Sequence, residues 1–119
     1  MRNYKRFEIW QHAMEMAVFI YAKTEKIPKK ENFNLISQME RAVVSISSNI
    51  AEGSGRKSNK DFHRFLEYAL GSSYELETQL LLCKRLGYFN QNDLEKDLEF
   101  LDMLQKKLYK FISNMKITG

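Results

Sequence analysis

The chain has 119 residues, a length that supports one hydrophobic core and leaves too little for two, so a single domain over residues 1–119 is expected. One proline and five glycines leave long uninterrupted stretches rich in Leu, Glu, Lys, Met and Ala, which makes an all-α fold the expectation. A formal charge of +4 permits an acidic partner without requiring one; one cysteine excludes an internal disulfide, and with no cleavable signal or membrane-length apolar run the expectation is a cytoplasmic protein without a membrane partner.

The first helix is expected over about residues 7–26, where Trp10, Met14, Ala17, Val18 and Tyr21 follow helical spacing as a core stripe. Pro28 and the restricted backbone before it end the run. A second helix, about 33–53, carries Leu35, Met39, Ala42, Val43, Ile46 and Ile50, and Gly53 and Gly55 read as left-handed caps that stop it. Ser58 reads as the next N-cap, with Asp61 in a capping-box position at the positive helix start. The third helix, about 59–86, repeats Phe62, Leu66, Ala69, Ser73, Leu76, Leu80 and Cys83 at alternating steps of four and three, and ends near Gly87. Asn90 or Asn92 caps a fourth, about 91–115, with Leu94, Leu98, Leu101, Leu108, Ile112 and Met115 on one stripe. Short connections between long helices favour antiparallel neighbours, which predicts an up-down-up-down four-helix bundle.

There is more apolar surface than one bundle needs. Ile9, Met16, Phe19 and Ile20 form a second line on helix one, and Phe65, Leu70, Leu81 and Leu82 lie outside the heptad line of helix three. Contiguous exposed apolar patches are uncommon on monomers, so homo-oligomerisation is expected. Helix two also carries a polar line, Gln38, Arg41, Ser45, Ser48 and Glu52. It reads either as a solvated face or as a buried network in which Gly71, Ser72 and Ser73 admit a neighbouring helix and Arg41 pairs with Glu75 or Glu77.

In an up-down bundle the N-terminus, the corner between helices two and three, and the C-terminus share one end. That end collects Arg2, Lys5, Arg6, Arg56, Lys57, Lys60, Arg64, Lys106, Lys107, Lys110 and Lys116 against Glu8, Glu52, Asp61 and Glu67, a surplus of seven positive charges. The opposite end, with seven cations around Lys29 and Lys30 against six carboxylates, is nearly balanced. A basic pole either attracts nucleic-acid phosphates or simply solvates the protein.

Catalytic and ligand motifs fit poorly. "GSGRKS" departs from a Walker loop because Arg56 precedes Lys57, residue 50 is isoleucine, and the segment follows a helix rather than a strand. His12 and His63 belong to no metal-ligand spacing, and Cys83 lies on an apolar line, so neither a metal nor another cofactor is expected. Arg56 and His63, with six residues between them, resemble the Arg–His signature of HEPN ribonucleases, a loose spacing that chance also produces.

The runs "WQHAMEMAVFIYAKT" and "SQMERAVVSISSNIAEGSGRKSNKDFHRFLEYALGSSYELETQLLLCKRLGY" resemble the four-helix-bundle family of 23S rRNA intervening-sequence proteins, whose members show a similar "IxSNIAEG" followed by "ALGSxxELETQL". The resemblance covers roughly Phe7 to Phe89, with helix four alike in length and pattern only. It implies a bacterial homopentameric barrel. Some members are encoded within insertions in large-subunit rRNA genes, and a similar accessory protein of diversity-generating retroelements is a basic pentamer that binds nucleic acid and a reverse transcriptase. Carried onto this chain, the resemblance marks Arg56, Lys57, Lys60 and Arg64 as contacts. One departure is Ser47, where the family often has proline. The combined expectation is a non-enzymatic oligomer that binds RNA or DNA nonspecifically, or scaffolds a nucleic-acid enzyme, through Lys5, Arg6, Arg56, Lys57, Lys60, Arg64, Lys106 and Lys110. The alternative is a purely structural or protein-interaction module.

Overall fold

The computed structural model describes residues 2–117. Four helices carry the fold, α1 (Glu8–Thr24), α2 (Leu35–Ser54), α3 (Asn59–Arg85) and α4 (Gln91–Ser113), with short 3-10 turns at Tyr4–Arg6 and Lys29–Glu31 and no strand among the described residues. The 27 residues of α3 rise roughly 40 Å at 1.5 Å each, most of the 47 Å long axis. Each helix packs on two others: α2 lies against α1 and α3, and α4 against α3 and α1. Polar contacts fix which ends meet. Lys23 at the end of α1 reaches Asp97 near the start of α4 (2.9 Å), and Lys107 near the end of α4 reaches Glu8 at the start of α1 (2.7 Å).

All four helices feed one hydrophobic cluster, in which Met16, Ile20, Met39, Ile46, Ile50, Leu66, Leu76, Leu80, Leu94, Leu101, Leu104 and Leu108 are almost wholly withdrawn from solvent. Each such side chain contributes on the order of 1.5–3 kcal/mol. The heptad line of α3 is buried along its whole length, Ser73 included. Ser73 is tolerated there because its hydroxyl donates to the Leu70 carbonyl. Cys83 packs beside Met39 with its sulfur 3.7 Å from Sδ, and burial pushes its thiol up to about 11.

The helix ends follow from local chemistry. Ser58 Oγ accepts the Asp61 amide, whereas the Asp61 carboxylate turns to Arg64 rather than back to the cap. Asn90, not Asn92, caps α4, in a reciprocal capping box with Asp93. After α3, Gly87 adopts φ +82° and the Tyr88 amide reaches back to the Cys83 carbonyl, a left-handed close that glycine makes at low cost.

Two expectations are corrected, and one open alternative is decided. The core stripe of α1 is Ile9, Ala13, Met16 and Ile20, while Met14, Val18 and Tyr21 face outward, Val18 at 68% exposure. Two apolar lines share this helix, and periodicity alone does not rank them. The buried one runs on through Thr24, whose hydroxyl is taken by Glu40 (2.8 Å), to buried Ile27.

Gly53 and Gly55 are not left-handed caps, since Gly87 is the one positive-φ glycine among the described residues. Gly53 lies inside α2, where a Cβ would stand 2.6 Å from Phe65 Cβ and 2.9 Å from the Phe62 ring. Its role is close approach. Gly71, expected to admit a neighbour, has open space around it.

The polar line on α2 is solvated: Gln38, Arg41, Ser48 and Glu52 are exposed, and among the described residues only Ser45 bonds across, to Ser72 (2.5 Å). Arg41 makes no ion pair with Glu75 or Glu77; Glu77 instead accepts from Gln105 (3.0 Å).

The two glycines give opposite predictions. Gly53→Ala forces overpacking against Phe62 and Phe65 and should cost about 1–3 kcal/mol in chemical denaturation. Gly71→Ala, in an exposed helix interior with room for a methyl, should gain about 0.5–1 kcal/mol.

Candidate nucleic-acid interface

The corner between α2 and α3 is three residues of turn before the Ser58 cap, and it is held from outside by Arg2. The Arg2 guanidinium donates to the carbonyls of Ser54 (3.2 Å) and Arg56 (2.6 Å) and to Asn59 Oδ1 (2.6 Å). It also sits over the Phe62 ring, 4.6 Å from its centre. The Ser54 carbonyl belongs to the C-terminal turn of α2, where a cation complements the helix dipole. Asn59 completes the junction by donating from Nδ2 to the Lys116 carbonyl (3.2 Å). The start of the chain, the corner and the residues after α4 are thereby brought together.

Around this junction the cations divide into tethered and free. Lys107 is paired with Glu8, whose carboxyl is held below the usual range chiefly by the hydrogen bond from Lys107. Lys106 pairs with Asp102 (2.9 Å). Arg64 is gripped by Asp61 through Nε (3.1 Å) and Nη2 (2.5 Å), and that bond lowers the Asp61 carboxyl in turn. Lys57 and Lys60 are exposed and make no ion pair among the described residues. Arg56 lies 4.6 Å from the centre of the Phe65 ring, which orients it without neutralising it.

Three shallow hollows surround the junction. One of about 920 Å³ is lined by Arg2, Tyr4, Arg56 and Lys57. A second of about 420 Å³ has Lys60, His63, Arg64 and Glu67 on its walls. The third, about 470 Å³, lies between Arg6, Lys107, Lys110 and Phe111. Lys5 is exposed on the first 3-10 turn, where its carbonyl accepts from Gln11. Thus Arg56, Lys57 and Lys60 flank the corner beside Arg64, while Arg6 and Lys110 line a separate hollow.

Arg56 and His63 line different hollows, and His63 is engaged by Glu67 (Nδ1 to Oε1, 3.2 Å). Among the described residues no cluster of His, Cys, Asp and Glu could hold a metal ion, and no helix is long and apolar enough to cross a membrane.

Sequence reasoning missed Arg2 as the tie of this junction, because its partners lie 52 to 57 residues away. It also missed the aromatic seating of Arg56 and Arg64 on Phe65, although an aromatic one position after Arg64 was a local signal.

The geometry can be set beside known proteins. The family model described as 23S rRNA-intervening sequence protein matches residues 5–110. A crystal structure of a protein with unknown function from the S23 ribosomal protein family of Bacteroides thetaiotaomicron VPI-5482 superposes with a TM-score of 0.81; it is 27% identical, and the alignment covers 87% of this chain and 97% of that one. No curated protein matches this chain.

If Arg2 is the tie, Arg2→Ala should lower stability by about 1–2 kcal/mol, the range for hydrogen bonds to a charged group partly open to water. Hydrogen–deuterium exchange should then quicken across residues 54–60 while the middle of α3 is unchanged.

Proposed function

This chain belongs to the 23S rRNA-intervening sequence protein family, and from that premise we propose that it is a non-enzymatic helical bundle that binds nucleic-acid phosphates through its basic pole without reading base sequence. The observation that carries this is the junction itself: Arg2 and Asn59 draw three separate segments together, with Arg56, Lys57 and Lys60 beside them and without an ion pair among the described residues. Free, clustered cations release counterions when they meet a phosphate backbone, which gives affinity with a steep salt dependence and no base specificity. The crossed contacts of α1 with α4, Lys23 to Asp97 and Glu8 to Lys107, support an up-down-up-down chain path in which this pole is one end of the bundle.

The protein also assembles with copies of itself in this reading. Met14, Val18 and Tyr21 on α1 and Val44 on α2 are exposed on one side, and Leu81 and Leu82 on the far half of α3 with Leu86 just beyond its end. Two different apolar faces suit a heterologous contact, and such contacts close into rings when the rotation allows. A ring of five, as the family resemblance implies, would repeat the basic pole five times.

Two measurements test this reading. Fluorescence anisotropy with a random-sequence single strand should show affinity falling about fiftyfold between about 50 and 200 mM salt for roughly four phosphate contacts. Arg56/Lys57/Lys60→Glu should abolish the signal, and absence of binding at low salt would leave the protein a purely structural module. Light scattering should give a mass near five times the 14.1 kDa protomer, and Val18→Glu should shift it toward one protomer.

A further inference from the structure

Beyond the free lysines, the basic pole carries an aromatic and guanidinium assembly that phosphate binding does not use. Arg64 lies 5.2 Å from the centre of the Phe65 ring and 5.8 Å from that of Tyr68, with Nη1 3.4 Å from the Tyr68 hydroxyl. Phe65 itself is buried and meets Tyr68 edge-on, with centroids 5.8 Å apart and planes at 73°. Tyr68 keeps 49% of its surface in solvent. Asp61 already occupies Nε and Nη2 of Arg64, so this cation is largely spent as a phosphate ligand while its plane is fixed beside Tyr68.

We propose that Tyr68, with Arg64 beside it, is a stacking platform for an unpaired nucleobase, and that the partner of the basic pole is therefore single-stranded nucleic acid. The proposal rests on the nucleic-acid reading above and narrows it. Lys60, Arg64 and Tyr68 follow one another at four-residue steps, so they lie along one face of α3. A strand whose phosphates rest on Lys57 and Lys60 carries its bases toward Tyr68. Duplex bases are enclosed in their own stack and cannot reach the ring, whereas unpaired bases stack on aromatic and guanidinium planes regardless of sequence. Glu67, exposed next to Tyr68 and paired with His63, repels phosphate there but leaves an uncharged base unopposed. Phosphate and base contacts thus fall on different residues.

The test is anisotropy with three probes of equal length, a single strand, a hairpin duplex and a strand with abasic sites throughout, on the full chain and three variants. The single strand should bind tightest. Tyr68→Ala should weaken it roughly five- to a hundredfold, the range that base–aromatic stacking spans, with the salt slope unchanged because no phosphate contact is lost. Tyr68→Phe should retain affinity, and neither substitution should alter binding of the duplex or the abasic strand. If Tyr68→Ala leaves single-strand affinity intact, or weakens all three probes alike, the platform is wrong. If duplex and single strand bind equally while Arg56/Lys57/Lys60→Glu still abolishes both, the platform falls and the phosphate-binding pole stands. If no probe binds at low salt, both fall. Matching melting temperatures for Tyr68→Ala and the parent keep a folding defect from imitating the expected result.

Discussion

The contact on which this end of the molecule depends is the absence of one methyl group at Gly53. A side chain there would collide with Phe65 Cβ and the Phe62 ring, so only glycine lets the last turn of α2 lie directly on the first turns of α3. That approach shortens the corner to a few residues and leaves Arg56 over the buried Phe65 ring. It also brings the Ser54 and Arg56 carbonyls and Asn59 within reach of one guanidinium, that of Arg2. A wider corner would separate these acceptors and undo the tie.

The electrostatics of the corner run both with and against local stability. Arg2 sits where the carbonyl end of α2 favours a cation, and Asp61 sits where the amide end of α3 favours an anion. Lys57 and Lys60 are on the unfavourable side, exposed at the positive start of α3 without carboxylate partners among the described residues. Capping does not need them, since Ser58 supplies that bond. Cations held against a helix dipole raise the local potential, which is the condition that attracts phosphate. At the far end the cations and carboxylates nearly balance in number, and Lys23 pairs with Asp97.

Much of the fold was legible because it rests on local chemistry. The four helices, the Ser58 cap, an asparagine cap at Asn90 or Asn92 and the buried heptad line of α3 all follow from signals within one or two turns. The face of α1 was not, because Trp10–Tyr21 and Ile9–Ile20 are both apolar lines and packing against α2 and α4 decides between them. Gly53 was legible as a special position but for the wrong reason: its neighbours are Phe62 and Phe65, and sequence cannot show that a methyl would strike them. The cationic residues of the pole could be named from topology. Which are free and which are held by Glu8, Asp61 or Asp102 required the side-chain geometry.

The central claim is that three distant segments form one binding surface because the corner packs so tightly. Hydrogen–deuterium exchange of the protein with and without a saturating short single strand at low salt tests this most directly. The account predicts added protection confined to residues 2–7, 54–68 and 106–117. Protection instead around Lys29 and Lys30 at the opposite end, or spread evenly along the helices, would contradict it.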